Sequence, residues 1–204
     1  MWDRFVNNLI DRHISPSSPV RSSCYRILDA GCGLGIIGIT TRLRHHKKNL
    51  YIEGCDIYEP FIEIAKRHNI YDEIRNEDIT KMIFHRDKEF DLAIGIGVLA
   101  HLSKDDGKFF KTQLERIAHH VILTAPTVHL DNHTSCQNDP NVCELSHKSK
   151  WSYKDFKDYN IRGFHRKGST GGSIIDTWLY PPLYSLTAIN PIFTKLTQYL
   201  VAWK

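Results

Sequence analysis

Apolar positions along the chain fall into two alternating rhythms, short β-rich runs and longer stretches at helical spacing. Trp2, Phe5, Val6, Leu9 and Ile10 predict a leading helix over residues 1–15, which Ser15-Pro16 and the following Ser17, Ser18 and Pro19 end. Ile27-Leu28 then runs as a strand into a glycine cluster, and Ile36, Ile37, Ile39 and Leu43 predict the helix that leaves it. A second strand is expected from Leu50 to Cys55, and Glu59-Pro60 opens a helix carrying Phe61, Ile62, Ile64 and Ala65. Phe90 to Gly97 reads as a strand, Lys104 to His120 as a helix with Phe109, Phe110, Leu114 and Ile117 on its inner face, and Val121 to Ala125 as a strand that Pro126 stops. Ser152 caps a helix carrying Tyr153, Phe156 and Tyr159, a strand follows from Ile161 to Phe164, and Gln198 to Trp203 suits a closing strand. Strand and helix alternating in this way argue for a parallel sheet covered on both faces.

Composition narrows the class. With 204 residues, 41% hydrophobic and 25% charged, the chain can bury one sizeable core, so residues 1–204 are read as one domain. Residues 127–150 and 173–193 stand out as variable, irregular segments. A net charge of +4 is mildly basic and permits a nucleic-acid partner without arguing for one. The basic run at 42–48 lies near a helix C-terminus, where cations complement the helix dipole. Five scattered cysteines do not make a disulfide framework and fit a reducing, cytoplasmic setting. Charges at Asp3, Arg4, Asp11 and Arg12 argue against a secretory signal, and no uncharged run is long enough to span a bilayer.

The chemistry concentrates in Arg26 to Thr40, R-I-L-D-A-G-C-G-L-G-I-I-G-I-T. Glycines between a strand and a helix supply positive φ, and the free N–H groups of the helix start face the same spot, so a nucleotide-like ligand is expected there. Gly33-x-Gly35-x-x-Gly38 also satisfies the dinucleotide fingerprint. Asp29, at the carboxyl end of the strand, would repel a pyrophosphate and welcome a ligand ammonium, which disfavours a nicotinamide dehydrogenase. Asp56 follows the glycines by about twenty residues, the spacing at which an acid accepts from ribose hydroxyls.

The run L-D-A-G-C-G-L-G resembles motif I of the class I S-adenosylmethionine-dependent methyltransferases, and the order of later acids and strands is similar to that family over nearly the whole chain. The resemblance implies a doubly wound, seven-stranded α/β sheet, mostly parallel with an antiparallel last strand beside the fifth. It also implies S-adenosyl-L-methionine as cofactor. Asp29 and the loop of Gly31, Cys32, Gly33 and Gly35 would hold its methionine end, Asp56 its ribose, and Asp78 with Ile79 its adenine, with Ile57 and Gly97 also counted as cofactor-binding. Phe90 to His101 resembles motif IV, although Ala100 stands where many members have an acid.

The methyl acceptor is read as a small molecule or sugar-like hydroxyl or amine. No RNA- or protein-binding module is evident, and an Asn-Pro-Pro-Tyr-type motif is absent after the fourth strand. An RNA or protein acceptor using residues 42–48 is the alternative, and Ala100 lends weight to a cofactor-binding protein without catalysis. His101 is the candidate general base, since imidazole titrates near neutrality. His147 is a second catalytic candidate; the segment around it, H-K-S-K-W-S-Y-K-D-F, resembles one that follows the fifth strand in a branch of small bacterial and archaeal methyltransferases. His129, His133, Cys136, Cys143 and His147 do not match the spacing of common zinc sites, so no metal is expected. Residues 174–193 are read as a substrate lid, a homodimer contact or a membrane-surface patch, in that order.

Overall fold

The computed structural model describes residues 2–14, 24–81, 85–127, 147–164 and 199–204. The linker at 15–19, most of the 127–150 segment with His129, His133, Cys136 and Cys143, and the whole of 173–193 lie outside them.

Seven strands form one sheet. They are β1 (Tyr25–Ala30), β2 (Leu50–Asp56), β3 (Glu73–Asn76), β4 (Phe90–Gly95), β5 (Ala118–Pro126), β6 (Asn160–Phe164) and β7 (Tyr199–Trp203), in the spatial order β3-β2-β1-β4-β5-β7-β6. The first five run parallel, with Ile27 beside both Ile52 and Leu92. The last insertion is antiparallel: β7 pairs with β5 through Thr124 and Val201 and with β6 through Ile161 and Ala202. This is the sheet that the resemblance implied. Sheet order reverses between β1 and β4, which opens a crevice at the carboxyl ends of those strands, the usual ligand position in open α/β sheets.

Two cores cover the two faces. On one, α4 (Lys104–Ile117) sets Phe110, Leu114 and Ile117 against Leu28, Ala93 and Leu123, and Trp151, Phe156 and Tyr159 complete the layer. On the other, α1 (Trp2–His13) lays Val6, Leu9 and Ile10, with Ile14 just beyond it, over Ile27, Ile52, Leu92, Ile94 and Ile122. Helices α2 (Ile36–Arg44) and α3 (Glu59–Arg67) flank the glycine loop. No helix among the described residues is long and apolar enough to cross a membrane.

Several element-level expectations need correction. Phe109 is 39% exposed, because the buried stripe of α4 is Phe110, Leu114, Ile117, at i, i+4 and i+7, and a neighbour of its first member is turned away by about 100°. Helix α2 meets the sheet through Gly38 and Thr41, which allow close approach, and Ile36 and Leu43 are exposed. Helix α4 stops at Ile117 because Ala118 already pairs with Phe90, so His119 and His120 belong to β5. After Ser152 the chain makes a 3₁₀ turn, Tyr153–Phe156, closed by reciprocal bonds between Ser152 and Asp155.

Candidate functional site

The loop after β1 is shaped by backbone bonds. Gly31 and Cys32 both donate to the Cys55 carbonyl, at 2.8 and 2.9 Å, which lashes the loop to the end of β2. Gly31 has φ +74° and a Cβ there would come within 2.3 Å of Val98 Cγ2, so only glycine fits between β1 and the loop after β4. Gly33, at φ +53°, presents its N–H to Asp56 Oδ2 at 2.8 Å. Asp56 Oδ1 accepts from the Tyr58 N–H at 2.9 Å, so each oxygen of this carboxylate is fixed by one backbone donor and keeps a lone pair for a ligand.

Around this point opens a cavity of about 620 Å³, within the range of small-molecule sites. Gly31, Gly33, Asp56 and Ile57 form one wall, and Asp78, Ile79 and Thr80 form another. Gly97, Val98, His101, Leu102, Ser103, Asp106 and Lys148 also line the cavity. Ile57 is 60% exposed, an apolar plate left uncovered at the rim. Burial pushes the Asp78 carboxyl up, but bonds from the Thr80 hydroxyl and N–H, at 2.6 and 2.9 Å, and from Lys81 outweigh it and hold it below the ordinary range. Gly97, at φ +79°, has open space where a Cβ would stand, and its N–H donates to the Thr124 hydroxyl at 2.7 Å.

The cavity thus brings together Gly31, Gly33, Asp56, Ile57, Asp78, Ile79, Gly97 and His101. Asp29, Cys32 and Gly35 are not among its lining residues. Asp29 is 2% exposed and accepts from the Tyr71 hydroxyl at 2.6 Å; burial raises its pKa to about 6 against the lowering effect of that bond. The carboxylate expected to face a ligand ammonium is thus buried and engaged by Tyr71. Burial also drives the Cys32 thiol well up, so it is neutral. Gly35, at φ +83°, serves as the N-cap of α2.

His147 does not line the cavity, but its ring centroid is 5.4 Å from that of His101, edge to face. The strand expected through Gly97 ends at Gly95, and a turn closed by His101 N–H to Val98 carbonyl at 2.9 Å carries His101 to the rim. Tyr58 and Phe61, stacked edge-on at 4.8 Å, and Asp106 and Lys148 join the lining without having been expected there. Of these only Tyr58 had a signal in the sequence, as the neighbour of the pair Asp56-Ile57. Three residues of the basic run are engaged within the fold: Arg42 donates to the Leu50 and Ile70 carbonyls and pairs with Asp72, and Arg44 and His45 both pair with Asp11, while Lys47 and Lys48 are exposed.

Residues 27–119 match the family profile of a methyltransferase domain. A sequence comparison with curated proteins found no match. Solved structures with similar folds include a magnesium protoporphyrin IX methyltransferase from Synechocystis PCC 6803, 14% identical, with TM-score 0.59 over 99% of this chain and 81% of that one. A SAM-dependent methyltransferase from Archaeoglobus fulgidus is 16% identical, with TM-score 0.58 over 98% and 92%. The plantazolicin methyltransferase, solved in complex with SAH, is 16% identical, with TM-score 0.58 over 99% and 83%. Residues 27–119 are thus similar to a methyltransferase domain, and the sheet order 3-2-1-4-5-7-6 with its antiparallel last insertion is that of the class I methyltransferase fold.

Proposed function

We propose that the cavity holds S-adenosylmethionine with its ribose on Asp56 and its adenine between Ile57 and Ile79, and that the chain methylates a small-molecule hydroxyl or amine. The fixed carboxylate of Asp56 carries this reading. With one backbone donor on each oxygen it is oriented before a ligand arrives, and it has acceptor capacity left for a vicinal diol. The exposed face of Ile57 offers a planar base an apolar surface, and Asp78 lines the same cavity to accept from an exocyclic amine. Gly31, Gly33 and Gly97 leave room for the aminoacyl end, and the carbonyls of the glycine loop, whose N–H groups at Gly31, Cys32 and Gly33 are already bonded, are the partners for its ammonium in place of Asp29.

The sulfonium supplies a methyl group already activated toward in-line attack. The protein then has to align an acceptor lone pair, exclude water and accept a proton. His101, at the end of the cavity lined by the turn after β4, is the base we assign, and His147 beside it contributes to the local field rather than touching the acceptor. Ser103, Asp106 and Lys148 bring both signs of charge to that end, which suits a compact polar acceptor. Pairing of Arg42, Arg44 and His45 within the fold reduces the charge that the basic run offers an RNA acceptor, which favours the small-molecule reading.

The test is calorimetric titration of the chain with S-adenosylmethionine, S-adenosylhomocysteine and NAD, repeated on Asp56→Ala and Asp56→Asn, followed by an acceptor screen read as S-adenosylhomocysteine formation. The first two ligands should bind and NAD should not. Both variants should weaken binding by about a hundredfold, the equivalent of one charge-assisted hydrogen bond of about 2–3 kcal/mol. Binding of NAD alone would sink the cofactor reading, and turnover of RNA in preference to every small acceptor would sink the acceptor class.

A further inference from the structure

Behind the cavity wall that carries Asp78 lies a group of buried charges that methyl transfer does not use. His85 stands in the turn before β4 with its side chain 2% exposed. Its Nε2 is 3.6 Å from Glu53 Oε1 and 3.7 Å from Glu77 Oε2, and its Nδ1 is 3.7 Å from Glu89 Oε2. Glu53, on β2, is 1% exposed, and Glu77, just past β3, is 10% exposed. Neither His85 Nε2, nor Glu53 Oε1, nor either oxygen of Glu77 makes a directed hydrogen bond. Charge, rather than bond geometry, therefore holds this group, in a place where water screens it little.

The surroundings leave a vacancy of positive charge that an imidazolium fills. Arg75 of β3 lies 3.1 Å from Glu53 Oε1 and 2.8 Å from Glu73 Oε1. The Tyr51 hydroxyl on β2 donates toward Glu53 and Glu73 at 3.3 and 2.8 Å, and Arg26 of β1 reaches Glu89 at 3.3 Å. Arg116 of α4 donates to the His85 carbonyl at 2.8 Å and pairs with Asp87 at 2.7 Å, and the Phe90 ring stands edge-on at 5.2 Å. Glu53, Glu73, Glu77 and Glu89 thus share the guanidinium groups of Arg75 and Arg26. A neutral His85 would leave Glu53 and Glu77 facing one another with Arg75 alone to offset them.

Glu53 and Glu77 are tied to the cofactor wall by the backbone. The Glu77 N–H donates to the Asp56 carbonyl at 3.0 Å, and the residue after Glu77 is Asp78. Glu53 lies on β2 three residues before Asp56, and β2 and β3 are paired at Glu53 with Glu73 and at Asp56 with Asn76. An attraction that draws Glu53 and Glu77 to one cation joins the end of β2 to the exit of β3, the two segments that present Asp56 and Asp78.

We propose that His85 is a positioning residue for cofactor binding: as an imidazolium it clamps Glu53 to Glu77 and so sets the spacing of the Asp56 and Asp78 carboxylates across the nucleoside. The inference rests on the reading that the nucleoside lies between those two acids. The Glu77 carboxylate raises the His85 pKa, with Glu53 and Glu89 adding to it, and these outweigh burial, which lowers it. The clamp is therefore complete below the ordinary imidazole value of 6.5 and is lost as pH rises through the raised one. Binding is reciprocal: if the proton favours the nucleoside, the nucleoside favours the proton by the same factor.

Two measurements on the whole chain test this with S-adenosylhomocysteine as the probe. Nuclear magnetic resonance follows the His85 ring titration with and without the probe, using His85→Gln to assign the signal, and calorimetry follows the affinity from about pH 6 to about pH 9. The probe should raise the His85 pKa by about one unit, and the wild-type affinity should fall about tenfold across that range. His85→Gln should bind weakly with a flat profile, while kcat at saturating cofactor stays within about twofold, because the residue touches neither cofactor nor acceptor. If the probe binds but leaves the His85 titration where it was, or if His85→Gln keeps the wild-type affinity and profile, His85 is not a positioning residue and the cofactor reading stands. Failure of the probe to bind the wild type would overturn both. Should His85→Gln not fold, the His85 signal is assigned instead by its nuclear Overhauser contact with the Phe90 ring, and the wild-type titration decides.

Discussion

Gly38 completes a dinucleotide fingerprint, yet what it faces is a tyrosine. A Cβ at Gly38 would come within 2.4 Å of Tyr71 Cζ, and one at Gly35 or Gly54 would come within 3.2 or 3.0 Å of the same ring. Tyr71 is wedged under the glycine loop with its hydroxyl on Asp29, so three glycines and one acid are explained by one buried side chain. Position on β1 was legible in the sequence; the partner of Asp29 was not, because three elements separate Tyr71 from β1 along the chain and the residue carries no periodic signal. A buried carboxyl with pKa about 6, against 3.8 unfolded, has a definite sign. It adds stability below about pH 4, and that contribution is lost as pH rises toward about 6. Asp29→Asn should therefore gain about 2 kcal/mol relative to wild type between those pH values, read from paired thermal melts. A stability difference that does not change with pH would mean that Asp29 ionises in the folded chain as it does in the unfolded one.

Among the elements, α1 shows how an apolar stripe is read correctly as a helix while its use depends on the neighbours it finds. None of its described residues lines the cavity, and Val6, Leu9 and Ile10 are spent on the sheet, with Phe5 edge-on to Trp203 at 5.4 Å. Its last residue, His13, stacks on His120 of β5 with ring centroids 4.5 Å apart. Burial lowers the His13 pKa to about 4, and the nearby His120 adds to this. A base whose folded pKa is depressed stabilises the fold above 6.5 and loses that contribution as pH falls toward 4. Asp11, held low by Arg44 and His45, keeps its pairs through most of the window. Hydrogen exchange of α1 amides should thus quicken, relative to α4, between about pH 7 and about pH 5, and His13→Phe should abolish the difference. Apart from β3, whose four residues are at most half-buried and give no alternation to read, strands and helices up to β5 were legible because each buries a clear face. The limits of α2 and α4 were not, since Gly38 and Thr41 replace a hydrophobic stripe in one and pairing of Ala118 with Phe90 overrides helical periodicity in the other.

At the scale of the molecule, the late part of the chain is fastened to the loop after β4. Trp151, 2% exposed, donates its indole N–H to the Leu99 carbonyl at 3.1 Å and to the Ser149 hydroxyl at 2.9 Å, and Ser149 in turn donates to Leu99 at 2.9 Å. Lys148 N–H takes the Ala100 carbonyl at 2.7 Å, and the Trp151 N–H takes that of Pro126. Ala100, which departs from the family's acidic pattern, is itself buried under this strap. Lys104 lies 3.8 Å over the Trp151 ring and 2.9 Å from Asp155, which clips the strap to α4, and Gly107 leaves room for the indole. The turn that carries His101 is therefore held from behind by residues from beyond β5. Trp151→Phe keeps the ring packing and removes the donor, leaving a buried carbonyl under-satisfied, so stability should fall by about 1–3 kcal/mol. Because the glycine loop, Asp56 and Asp78 are bound to other elements, affinity for S-adenosylhomocysteine should change by less than about threefold, while turnover falls by about tenfold or more through loss of alignment at His101. Equal losses in both quantities would mean that the strap supports the fold as a whole rather than the acceptor end of the site.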